Sequence, residues 1–258
     1  MCCFSSRIER VSGTHIFVRA EGERQLVVYE MSLLAQGELA MVLPIPVAPG
    51  AGEDAVEMVD LSAAPYFFTQ LDMAFGSDLS LAAPSRLAPQ AKALKVHQVG
   101  DFEASFVPHA ADFDRLDARF SIPSAVWAAI PEVEGFGFVV FKLREAGPAP
   151  GLLDRLLGRR APREERRYHP MAFWFPRRDP SRLFFPTLHI HDGAAHREAD
   201  FDHTLYAQAS EEPDGWDRSE APLRSRMWGP AQLHVADAPG HRLYVRGVRP
   251  NRDTWIAA

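Results

Sequence analysis

What most constrains this chain is the shortness of its apolar runs and the residues that stop them. Residues 14–19 and 25–31 are rich in β-branched and aromatic side chains and flank Glu21-Gly22-Glu23, the chemistry of a hairpin turn. Residues 39–43 form another apolar run that meets Pro44, with Pro46 and Pro49 close behind. Proline has no N–H to give to a ladder, so that strand stops there or continues as an edge. Similar runs recur at 95–99, 102–107, 136–143, 171–175, 183–191, 201–208, 232–235 and 243–248. Helical spacing is rarer. Phe67, Phe68, Leu71 and Phe75 suit a helix over 64–75 capped by Ser62, and Ser121-Ile122-Pro123 opens another through about Ile130. The expectation is a β-rich α+β fold: about ten short, mostly antiparallel strands, sandwich or barrel-like, with about two or three short helices.

A chain of 258 residues, 47% hydrophobic and 24% charged, can bury a substantial core. A single globular domain over 1–258 is expected, with a surface insertion at 147–167. That insertion begins with Gly147-Pro148-Ala149-Pro150-Gly151 and carries Arg155, Arg159, Arg160, Arg163, Arg166 and Arg167, diluted by Glu164 and Glu165. No run approaches the roughly 18–20 apolar residues of a membrane span. The first residues lack the pattern of a secretory signal, so a cytoplasmic location is expected. The net charge of −6 argues against nucleic acid as a partner. Lysine is confined to Lys92, Lys95 and Lys142, and the two cysteines, Cys2 and Cys3, are adjacent, so no disulfide framework or cysteine-rich zinc site can form within the chain. Phosphate-binding glycine loops, dinucleotide fingerprints and nucleophile elbows are missing as sequence motifs.

The densest chemistry lies between His189 and His203, a stretch that also holds His191, Asp192, His196, Asp200 and Asp202. In a strand, alternate side chains share a face, so His189 and His191 point together while Leu188 and Ile190 point away. Asp192-Gly193 is a turn signal, which suggests that 201–208 folds back as the second arm of a β-hairpin. With Phe201 opposite His191, His203 falls opposite His189, and three imidazoles can grip one divalent metal, zinc or similar, leaving a position open for a small-molecule substrate. A one-residue slip sends His203 to the other face. His196 is a further candidate ligand, and Asp200 or Asp202 a candidate hydrogen-bond acceptor that orients a ligand. The other reading is that these histidines are structural. The His-x-His pair is similar to the first motif of cupins, but Leu183 stands where that motif has glycine, so no cupin ligands are carried over.

The second candidate is Cys2. Loss of Met1 would leave the α-amino group of Cys2 beside its own thiol, a base next to a nucleophile. Cys2 followed by Gly13-Thr14-His15-Ile16-Phe17-Val18-Arg19 resembles the cysteine N-terminal nucleophile hydrolases of the bile-acid and penicillin amidase type, in which a hairpin Gly-x-x-Tyr-Phe-x-Arg follows the cysteine. The resemblance covers residues 2–19 and implies amide hydrolysis with Cys2 as nucleophile and Arg19 beside it. Ala20, Glu21 and Gly22 stand where that branch carries Asn or Asp. Residues 39–47 with the 189–203 region also resemble a family of bacterial proteins without an assigned activity, which implies a bacterial source and no mechanism. Three functions stay open: a small-molecule enzyme built on the histidines, an amidohydrolase built on Cys2, and a non-catalytic binding or assembly protein of unspecified oligomeric state.

Overall fold

Short strands separated by turns make up most of the computed structural model, which describes residues 2–6, 8–34, 39–76, 97–99, 102–143 and 166–258. The first part contains β1 (Cys2–Phe4), β2 (Arg10–Glu21), β3 (Arg24–Leu34), β4 (Leu39–Ile45), β5 (Glu57–Asp60) and helix α1 (Phe67–Ala74). Next come β6 (His97–Val99), β7 (Phe102–Val107), helix α2 (Ser124–Ala128) and β8 (Gly137–Leu143). The last part contains β9 (Arg166–Arg167), β10 (Met171–Pro176), β11 (Arg182–Phe185), β12 (His189–Ile190), β13 (Glu198–Gln208) and β14 (Asp217–Arg218). Helix α3 (Leu223–Arg226), β15 (His241–Pro250) and β16 (Thr254–Ala257) complete it.

A six-stranded sheet runs β12-β1-β4-β8-β7-β6, and an eight-stranded sheet runs β14-β15-β13-β2-β3-β10-β5 with β9 attached to β3. Among the described residues neither sheet closes into a barrel, and the fold is a β-rich, sandwich-like α+β arrangement. β11 and β16 form a separate ribbon. No described helix is long and apolar enough to cross a membrane.

Side-chain alternation explains why the central strands are apolar at nearly every position. In β2 and β3, Ile16, Val18, Val27 and Tyr29 enter the core shared with the six-stranded sheet. Phe17, Leu26 and Val28, one residue out of phase, pack instead against α1 and α3 through Phe67, Phe68, Leu71 and Leu223. The eight-stranded sheet is therefore the middle of three layers, and both its faces are dry at its centre. At the β2–β3 turn Gly22 has φ +58, a region that L side chains avoid. Pro44 does not end β4. It pairs with Phe138 of β8, while the pairing of β4 with β1 is recorded only at Met41 and Val42, which fits proline at an edge.

Several local expectations are corrected. The helix expected over 64–75 spans only Phe67–Ala74, and Ser62 does not cap it; the Ser62 N–H donates to Asp60. The second helix is limited to Ser124–Ala128, with Pro123 preceding it. Residues 232–235 are not a strand but part of a 3₁₀ turn, Gly229–His234, that Gly229-Pro230 opens. Ala231 and Val235 are both buried against the helical layer. Residues 77–96 and most of the insertion expected at 147–167 lie outside the described residues; Arg166 and Arg167 pair with Leu33 and Ser32.

Candidate functional site

The seam between the two sheets holds the histidines. In β12 alternation works as the sequence implies: Leu188 and Ile190 are buried in the main core, and His189 and His191 belong to the opposite side. One edge of β12 pairs in parallel with β1, Cys2 opposite His189 and Cys3 opposite Ile190. Along its other side the side chain of Asn251 substitutes for a strand. Asn251 Oδ1 accepts from the His189 N–H at 2.7 Å, and its Nδ2 donates to the carbonyls of His189 at 2.9 Å and His196 at 3.0 Å. Two residues on, Asp253 Oδ1 accepts from the N–H groups of Thr187 at 2.8 Å and Leu188 at 2.9 Å. Burial pushes the Asp253 carboxyl up to about 6, against the opposing pull of those two donors.

The expected β-hairpin is absent. β13 pairs in parallel with β2 and antiparallel with β15, so both its edges are taken and β12 belongs to the other sheet. The imidazoles meet nonetheless, across the gap between sheets rather than along a ladder. Phe201 and His203 project from β13 on the face that carries Leu205 and Ala207 into the shared core. His189 Nε2 lies 3.2 Å from His203 Nε2, and the two ring centroids are 4.8 Å apart. His189 also stacks on His191 (4.8 Å, 19°) and on Phe201 (4.5 Å, 27°).

Burial decides the protonation of this cluster. Desolvation lowers His189 to about 2 and His191 to about 4, and it holds His203 well below the ordinary imidazole value. All three are therefore neutral near pH 7, the form that binds metals and accepts protons. Nε2 of His191 and Nδ1 of His203 are buried with no hydrogen-bond partner among the described residues. The site opens on a cleft of about 340 Å³ lined by His189, His191, Asp192, His196, Glu198 and Asp200. Exposed His196 pairs with Asp192, Nε2 to Oδ2 at 2.9 Å, at the rim and apart from the stacked rings. Among the described residues no group of three or more His, Cys, Asp or Glu side chains stands in an arrangement that could hold a metal ion.

The remaining candidates fall in different places. Cys3 is fully buried in the main core. Cys2 is a backbone neighbour of His189. Arg19 lies elsewhere: its Nε donates to the His234 carbonyl at 2.9 Å, it pairs with Glu21 at 2.8 Å, and its guanidinium stacks on Trp174. Asp202 accepts from the Gly13 N–H at 2.7 Å and, among the described residues, makes no hydrogen bond to an imidazole. Asn251 and Asp253 were not singled out from the sequence, where Asn251-Arg252-Asp253 has the composition of an ordinary turn between strands.

No protein-family model matches this chain, and no curated protein matches it significantly. Among solved structures, the crystal structure of baculovirus P35 is similar over 99% of each chain, with a TM-score of 0.48 and 11% sequence identity. Nothing about P35 is carried over to this chain at that level of likeness.

Proposed function

We propose that the cleft at the seam is the active site of a small-molecule enzyme in which His189, His191 and His203 hold a divalent transition metal. The observation that carries this reading is the 3.2 Å separation of the His189 and His203 Nε2 atoms. Two nitrogens on one tetrahedral zinc, each at about 2.0–2.1 Å, are separated by about 3.3 Å. Neutral imidazoles and the unpartnered buried Nε2 of His191 support the same reading. One movement is required. The nearly parallel planes of His189 and His191 do not meet at a common ion, so His191 must turn about its side-chain torsions to complete the set. A zinc-class ion, when bound, supplies Lewis-acid chemistry to a molecule in the cleft. Glu9, Glu198 and Asp200 line the cleft as carboxylates for proton transfer, and the His196–Asp192 pair at the rim can orient a polar substrate.

The test is metal analysis of untagged protein purified without chelator, beside a His189→Ala/His203→Ala double variant. About one equivalent of metal in the parent and none in the variant is expected; equal content in both refutes the reading.

One observation favours a second reading, amide hydrolysis with Cys2 as nucleophile: the backbone of Cys2 pairs in register with His189. In that reading the α-amino group freed by loss of Met1 is the base for the thiol. It expects a mature mass lacking Met1 and alkylation of Cys2 by iodoacetamide; a retained Met1 removes it.

A further inference from the structure

A second, larger cleft of about 840 Å³ opens beside Phe201, the residue that stacks on His189 and His203. Its walls come from β11, β13, β15, β16 and the turn before β8. They combine three guanidiniums (Arg182, Arg249, Arg252) with four aromatic rings (Phe136, Phe201, Tyr244, Trp255). The lining carboxylates are Glu132 and Asp253. Asp253 already accepts two backbone N–H groups and so has little capacity left for a guanidinium. Among the described residues none of the three arginines forms an ion pair. Arg182 lies over the Trp255 ring at 4.7 Å, and Arg249 donates only to the Arg246 carbonyl at 3.2 Å. Trp255 is fixed from behind by an edge contact with Phe184 at 4.8 Å.

We infer that this cleft binds an organic phosphate bearing a planar ring, a ligand of the nucleotide class, held by side chains rather than by a phosphate loop. Guanidiniums are the side chains best matched to phosphate oxygens. A phosphate dianion carries charge to match two of the cleft's three guanidiniums, whereas a carboxylate matches one. Guanidiniums lie over the rings of the wall, Arg182 over Trp255, Arg178 over Phe136, and Arg242 and Arg246 over Tyr244, so a flat ring stacks on these layered planes, a contact that inorganic phosphate cannot make. The volume suits one small molecule, and a net charge of −6 opposes a polynucleotide. The inference does not rest on the histidines holding a metal.

The experiment is isothermal titration of the full chain with adenosine 5′-monophosphate, with adenosine and inorganic phosphate titrated separately. Saturable binding of the monophosphate is expected, weakened at least about tenfold when either half of the ligand is removed. An Arg249→Ala/Arg252→Ala variant changes only exposed side chains, and should keep the parent circular dichroism spectrum while losing at least about tenfold in affinity. Trp255→Leu should weaken adenosine more than phosphate. The His189→Ala/His203→Ala variant should bind the monophosphate like the parent, which keeps this test separate from the metal test. No saturable binding at millimolar ligand, or equal affinity in the arginine variant, overturns the inference. So does tighter binding of a short oligonucleotide, which would assign the cleft to nucleic acid.

Discussion

Asn251→Ala is the substitution that most directly tests how the imidazole site is built. The side chain makes three hydrogen bonds to backbone, two of them to the N–H and carbonyl of His189. Because His189 is only 7% exposed, water cannot replace those partners freely. Each buried backbone group left unsatisfied costs about 1–3 kcal/mol. The bond to the exposed His196 segment adds little, so a total loss of about 2–4 kcal/mol is expected. In a chain of this size about 1 kcal/mol shifts Tm by roughly 2–4 °C, which gives a fall of about 5–15 °C. Urea and thermal unfolding followed by far-ultraviolet circular dichroism measure it directly. Asn251→Asp provides the contrast: it keeps an acceptor for the His189 N–H and loses the donor to the carbonyls, so it should fall between parent and alanine. Metal uptake should weaken in the same order, since the backbone carrying His189 loses its brace. If Asn251→Ala lies within about 0.5 kcal/mol of the parent, Asn251 is not what holds β12 in place, and the account of the site's assembly is wrong.

Acid should weaken the metal-free protein through the same cluster. The folded values of His189, His191 and His203 lie below the ordinary 6.5, so their contribution is complete above about 6.5 and is lost as pH falls, down to about 4 for His191 and about 2 for His189. Each fully buried histidine contributes a slope of up to about 1.4 kcal/mol per pH unit, and half-buried His191 contributes less. Asp253, raised to about 6, works in the opposite direction: its charged form is disfavoured, so that penalty is relieved as pH drops. Urea midpoints measured from pH 7 to pH 5 should therefore fall in the parent and flatten in His189→Ala/His203→Ala; a parallel decline in both would refute the assignment. Phe201→Ala removes a buried ring that packs on two imidazoles, and should cost about 3–5 kcal/mol by the same unfolding assay. Gly22→Ala places a side chain at φ +58, where nothing within 4 Å opposes it, so only the backbone strain of about 1–2 kcal/mol should appear.

The fold class could be read from the sequence because it depends on local signals. Runs such as 26–29 are apolar at consecutive positions, as a strand covered on both faces must be, and the Gly22 turn requires only its own glycine. The phase of His189 and His191 was equally legible, since a period of two needs no partner. What could not be read was the pairing. Nothing in 183–208 indicates that β12 joins Cys2–Phe4 in one sheet while β13 joins β2 in the other. The nearest strand in sequence was the natural partner to expect, and long-range packing overrides that expectation. The three imidazoles met all the same, because each strand's alternation already aimed them at the space the two sheets share. Asn251 and Asp253 escaped notice because a side chain bonded to backbone 62 to 66 residues away leaves no periodic trace.

The way β12 is held has a consequence for synthesis on the ribosome. Its partners lie at opposite ends of the sequence shown, β1 at residues 2–4 and the side-chain brace at 251–253. A nascent chain that has emerged only as far as His203 carries every imidazole of the cluster, yet it lacks the groups that fix His189 in place. The cluster should therefore assemble late, once Asn251 and Asp253 have emerged. Until then the histidines remain a loose set, and the buried neutral cluster forms only when the last strands have been made.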